Sequence, residues 1–155
     1  MKHSSDFNPF VPIELSHSWP LFEQSRHFEL GAVLESAAID AIHPAKVGSI
    51  GLQHAGCWEC DLSDESLIWS GGVYDIFGLP RGVKVSREGA VSLYAENSRA
   101  CLERLRAHAI KHRRGFTLDA EIRPAVGGTR WMRLIAAPVC IGDELVRLHG
   151  LKLAL

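Results

Sequence analysis

The sequence predicts an α+β domain: a five-stranded antiparallel sheet with short helices covering one face, plus an N-terminal helix. Three observations carry this. Period-two alternation is confined to two regions, about residues 56–70 and 116–155, in which short turns join each strand to the next. Helical patterning fills the segment between them and a further stretch near residues 20–43. Hairpin-linked strands pair antiparallel, and the resulting sheet buries one apolar face under the intervening helices.

Residues 1–19 carry Pro9 and Pro12 among Ser, Asn and His, and predict an irregular or mobile arm. Pro20 suits a first helical turn, where its missing N–H would have had no partner anyway. In "LFEQSRHFELGAVLESAAIDAIH", Leu30, Leu34, Ala37 and Ala41 share one face with Val33 and Ala38 beside them, and Pro44 ends a helix expected over 20–44. "AKVGSIGLQHAG" is a connection, and the domain proper is expected over 50–155. Trp58, Cys60 and Leu62 alternate with Cys57, Glu59 and Asp61, which is a strand; "LSDES" turns and "LIWS" returns as a second.

"GGVYDIFGLP" is a short helix stopped by Gly78 and Pro80. "VSREGAVSLYAENSRACLERLRAHAIKHRRG" holds a short helix and then a longer one, closed by Gly115. Phe116, Leu118, Ala120 and Ile122 then alternate with Thr117, Asp119, Glu121 and Arg123. "TRWMRLIAAPV" and "LVRLHGLKLAL" complete the strands, with "AVGG" and "CIGDE" as turns.

Composition narrows the function. Over 155 residues the charge is −1, far from the strongly basic surface that wraps nucleic acid, so no nucleic-acid partner is expected. No apolar run reaches the roughly 18 residues of a membrane span, so no membrane insertion is expected. The N-terminus has no apolar run of the kind that opens an exported chain. The expected location is cytoplasmic, where the four cysteines stay reduced.

Cys57 and Cys60 form a C-x-x-C, a spacing shared by zinc ligands and redox dithiols. On a strand, residues three apart point to opposite faces. The pair cannot share one metal ion, no second Cys/His pair stands at finger spacing, and no metal site is expected. Cys60 reads as a small core residue and Cys57 as a residue of the other face.

The same stretch, "GCWECDLSDESLIWSGGVYDIFGLP", resembles the opening of a PAS domain, of the subgroup that begins with a Gly-x-Trp-x-x-Asp strand. Trp69-Ser70, Tyr74 and Gly78-Leu79 match the positions that follow. Phe116, Glu121-Ile122-Arg123, Gly128 and Arg130-Trp131 match the paired strands, and Gly150 matches the last one. The match covers about residues 50–155. Two positions depart from it: "LYAENS" stands where the family often has His-Pro-x-Asp, and the chain stops at Leu155 without the usual Asp-Ile-Thr. With its extra N-terminal helix, the chain reads as a standalone single-domain PAS protein.

The resemblance implies a signal-transduction module acting by protein–protein interaction, with a pocket that can take a small ligand. The partner it implies is a signalling protein such as a histidine kinase or response regulator. The alternative is a ligand- or haem-binding sensor fragment of a larger receptor kinase or regulator. Trp69, Phe77, Leu105, His108 and Phe116 are expected to border a small apolar pocket, with Leu118 and Ile122 on the strand of Phe116. Haem, by the same resemblance, would use a histidine of the long helix, where His108 and His112 fall on one arc with Cys101 and Leu105. Flavin photochemistry is not expected, because the Gly-x-Asn-Cys-Arg-Phe-x-Gln run is missing and Cys101 sits among unrelated residues.

A third reading is a small cone-fold isomerase or dehydratase, which would need a carboxylate base inside the cavity. Asp119 and Glu121 lie on the opposite side of their strand from its apolar residues, so no catalytic residue is assigned. The last strands put apolar groups on both sides, Trp131, Ile135 and Val139 on one and Met132, Leu134 and Ala136 on the other. An outer face of that kind needs a cover. The expected cover is the N-terminal helix, packed on its own sheet or exchanged in a homodimer, with Phe28, Leu30, Val33, Leu34 and Ala37 at the contact.

Overall fold

Turn chemistry and alternation assemble the sheet in the order the hairpins require, as a computed structural model describing residues 16–28 and 54–155 shows. Those residues form β1 (Ser16–Pro20), β2 (Ala55–Asp61), β3 (Leu67–Trp69), α1 (Gly71–Phe77), α2 (Arg87–Val91), α3 (Glu96–His112), β4 (Arg114–Ile122), β5 (Arg130–Ile141) and β6 (Glu144–Ala154). The strands make one sheet in the order β1-β4-β5-β6-β2-β3, every pair antiparallel. The β2–β3 hairpin turns where the Asp61 carboxylate accepts the Ser63 N–H at 2.8 Å, a local bond that aspartate offers readily. Ser86 caps α2, its hydroxyl accepting the Gly89 N–H at 2.9 Å.

Among the described residues six strands stand where five were expected, and residues 16–19 are not an irregular arm. β1 pairs with β4 in the register Ser16↔Leu118 to Pro20↔Arg114. Its anchor is Trp19, which is fully buried and donates its indole N–H to Thr117 Oγ1 at 3.1 Å. "SHSWP" carries one apolar side chain and no alternation, so nothing local announces a strand; the strand exists because β4 offers it an edge and a slot for one indole. Pro20 is tolerated because β1 is itself at the sheet edge.

That slot also corrects the role given to Gly115. The long helix ends at Arg113, whose φ of 53° is left-handed, and Gly115 already belongs to β4. A Cβ at Gly115 would lie 2.2 Å from the Trp19 ring. Glycine is there to admit the indole, not to stop the helix.

After β1 the chain makes a 3₁₀ turn at Leu21–Glu23 and continues helically through residues 24–28. The remainder of the helix expected over 20–44 lies outside the described residues, as do Leu30, Val33, Leu34 and Ala37.

The sheet is apolar on both faces. Toward the helices, Val73, Ile76, Phe77, Tyr94 and Leu102 pack on Phe116, Leu118, Ile122, Met132 and Leu134. On the other face Trp19, Ala55, Ile135, Ala137, Leu151 and Leu153 form a second cluster, with Leu21 and Phe28 packed against it. Phe28 therefore reaches the outer face of its own sheet, its ring 5.0 Å from that of His149. Asp119 is also buried, accepting two hydrogen bonds from the Arg133 guanidinium opposite it, at 2.7 and 3.0 Å.

α1 lies close enough to β2 that only glycine fits between them: a Cβ on Gly72 would stand 1.8 Å from the Ala55 carbonyl oxygen. Gly72→Ala is expected to push α1 off the sheet and cost about 1–3 kcal/mol in urea denaturation, the usual toll of overpacking. Unchanged stability would mean that α1 is not seated as described.

Candidate functional site

On β6, Leu148, Gly150, Lys152 and Ala154 alternate with His149, Leu151 and Leu153. Leu151 and Leu153 belong to the outer cluster, so the strand's pleat sends Lys152 to the helix-covered side. There it meets Trp58 and Cys60 of β2, Trp69 of β3, Tyr94 from the segment between α2 and α3, and Leu102 of α3, around a cavity of about 50 Å³. That is room for a few water molecules or a correspondingly small ligand.

Lys152 is 6% exposed. Its Nζ donates to Tyr94 Oη at 3.1 Å. It stands 5.4 Å from the ring centre of Trp58, 5.6 Å from Trp69, 4.9 Å from Phe77 and 5.7 Å from Tyr94. The faces of these rings are the negative ends of their quadrupoles and attract an ammonium. Trp69 and Phe77 are stacked at 4.9 Å, which holds two of these walls rigid.

Burial dominates the electrostatics. Loss of water drives the Lys152 ammonium from its ordinary 10.5 down to about 7, because the charged form is the one that desolvation penalises. Burial raises the Tyr94 phenol well above its ordinary value, and it raises the Cys60 thiol against the pull of Arg106.

An ammonium has three donors. Tyr94 takes one, and among the described residues no other hydrogen-bond partner and no carboxylate stands at bonding distance from the other two. Arg87 and Arg106 also border the cavity. Arg87 pairs with Glu103, and Arg106 lies 3.5 Å from Glu65. The cavity therefore has apolar walls, three cations about it, and one of those cations unbalanced.

Of the residues expected here, Trp69 and Phe116 line the cavity. Phe77 stands behind Trp69 and faces Lys152. Leu118 and Ile122 are buried in the same core but do not line the cavity, and Leu105 is half-buried at its margin. His108 does not belong to the site: it is exposed, its ring 4.5 Å from that of the equally exposed His112. The buried line of α3 runs through Ser98, Leu102 and Ala109. Ser98 turns inward because its hydroxyl accepts the Glu121 backbone N–H at 2.8 Å, which rotates His108 toward water. Both histidines of the arc on which a haem ligand was expected thus lie outside the cavity.

Lys152, Tyr94, Trp58, Arg87 and Arg106 were not expected at the pocket from the sequence. The signal available was a lysine within "LHGLKLAL", but leucines flank it at both parities. With both faces of the sheet buried, alternation does not say which side Lys152 takes.

Cys57 is exposed and Cys60 buried, on opposite sides of β2, and both are free thiols. Cys60→Ser is expected to cost about 1 kcal/mol or more, because a buried hydroxyl gives up more to desolvation than a thiol, and the acceptor the thiol reaches, the Asp61 carbonyl oxygen at 3.8 Å, is long for an O–H donor. Cys57→Ser should leave the urea midpoint unmoved. Equal losses for the two would contradict their opposite orientation.

No family model matches the sequence. No curated protein matches it either. Solved structures do. An RNA-binding light-oxygen-voltage receptor superposes with a TM-score of 0.58 at 13% identity, over 66% of this chain and 29% of that one. The N-terminal domain of a diguanylate cyclase with PAS/PAC sensor from Marinobacter aquaeolei gives 0.58 at 15% identity, over 63% and 92% of the two chains. A sensory box histidine kinase/response regulator from Burkholderia thailandensis gives 0.54 at 18% identity, over 65% and 76%. The matched part of this chain spans under a third of the light receptor's length. At these identities the likeness is one of fold, and the fold is the PAS fold that the Gly56–Asp61 strand and its sequels imply.

Proposed function

We propose that the chain is a sensory module of signal transduction that acts by binding another protein, such as a histidine kinase or a response regulator, and that the occupant of its cavity adjusts that binding. The observation that carries this reading is the fold: its solved neighbours include domains of a diguanylate cyclase with PAS/PAC sensor and of a sensory box kinase. The cavity over Lys152 supports the sensory half, since a charged group held without a counter-charge responds to whatever enters. No catalytic step is assigned to the module. Among the described residues no helix is long and apolar enough to cross a membrane, and the reading places the protein in the cytoplasm, working as a homodimer. Phe28 on the outer sheet face supports the N-terminal helix as the element that covers or exchanges across that face.

The test is to use the full chain as bait for crosslinking and mass spectrometry in its own cells, then to titrate the purified partner while following native mass. Enrichment of a histidine kinase or response regulator that binds directly is expected, together with a two-fold native mass. Recovery of neither class, or a catalytic turnover unconnected with any partner, overturns the proposal.

A further inference from the structure

An ammonium buried among four rings with one hydrogen bond is an incomplete arrangement. Two of its donors are open and the charge is unpaired by any described carboxylate, while a cavity adjoins it. The chemistry that completes it is restricted. A cation would be repelled by Lys152, Arg87 and Arg106. A neutral molecule would leave the charge uncompensated. Phosphate carries a large hydration shell, and replacing that shell takes more donors than one ammonium supplies.

From this we propose that the cavity binds a small organic carboxylate, whose oxygens accept from Lys152 Nζ while its short hydrocarbon part lies against the indoles of Trp58 and Trp69. Arg87 and Arg106 attract the anion at the rim without being committed to it, since each already holds a glutamate. The inference rests on the sensory reading for what binding accomplishes, and names the ligand class for that same cavity.

Binding is linked to pH. The groups facing Lys152 are the Tyr94 phenol, the Cys60 thiol of β2, Arg87 of α2 and Arg106 of α3, with Glu103 and Glu65 behind the arginines. The phenol and the thiol are both raised by burial and stay neutral near pH 7. Unlike the phenol and the thiol, the lysine changes charge there, near its value of about 7. A carboxylate needs the charged form, so affinity should fall by about tenfold per pH unit above that value.

The experiment is calorimetric titration of the full chain, in carboxylate-free buffer at pH 6.5 and 8.5, with acetate, propionate, butyrate, propionamide and propylamine. At least one carboxylate is expected to bind at pH 6.5 and to weaken at pH 8.5, with the amide and amine silent. Lys152→Met, an apolar chain of similar length, should lose binding at least tenfold with an unchanged circular dichroism spectrum; Lys152→Gln, which keeps a donor but no charge, should lose it too. Propionamide binding as well as propionate, a Lys152→Met protein that still binds, or silence across all three carboxylates would each overturn the inference. None of these outcomes touches the partner-capture result, so failure of the ligand class and failure of the sensory reading are separate observations.

Discussion

Lys152→Met is expected to stabilise the protein at neutral pH by about 2 kcal/mol and to flatten its pH dependence. Removing an ammonium from water costs several kcal/mol in a dry interior, and the surrounding rings return part of it, up to about 2 kcal/mol. The sign with pH follows from proton counting. The group falls from 10.5 in the unfolded chain to about 7 in the folded one. Between those values the unfolded chain holds the extra proton, so stability rises with pH. The penalty is fully present below pH 7 and is relieved as pH climbs toward 10.5.

From pH 7 to pH 9 the relief should amount to roughly 2 kcal/mol in the wild type and to nothing in the methionine variant. Cys60 acts the other way at the alkaline end, because its thiol is raised by burial and the unfolded chain loses that proton first. It is present in both proteins, so the difference between their urea midpoints isolates Lys152. Parallel pH curves would show that the lysine is hydrated, and would remove the charged cavity along with it.

The second large effect concerns the opposite face of the sheet. Arg133→Ala is expected to cost about 3–5 kcal/mol, the loss typical of stranding a buried charge. Asp119 has no exposed surface, and both of its oxygens accept from Arg133. The carboxylate in turn raises the guanidinium above its ordinary value. Without Arg133 the carboxylate keeps its desolvation and loses its compensation. Asp119→Asn with Arg133→Met should recover most of the loss, because it removes both charges at once and keeps the volume. A single variant within 1 kcal/mol of wild type, against the roughly 3 expected, would mean that water reaches Asp119.

Much of the architecture could be read along the chain. The three hairpins, the short helix after Trp69 and the long helix before β4 stand where alternation, turn residues and helical period put them, because each is decided by residues a few positions apart. The apolar groups on both sides of β5 correctly implied a sheet buried on both faces, and Phe28 does pack on the outer one. The opposite orientations of Cys57 and Cys60 followed from strand geometry alone, before any contact was known.

What the chain alone decided, then, was the class of fold and the identity of β2 to β6 and of α1 to α3. Tertiary structure decided everything that depends on one element meeting another across a long interval of sequence. β1 became a strand because Trp19 finds its slot against Gly115 of β4, almost a hundred residues further on. His108 left the site because Ser98 bonds to β4 and sets the roll of α3. The candidate site is a charge whose environment is wholly non-local: Lys152 of β6 is bounded by rings from β2, β3, α1 and the segment before α3. Local pattern reports which side chains are apolar. It does not report where a charge has been enclosed, because enclosure is a property of all the surfaces that meet around it.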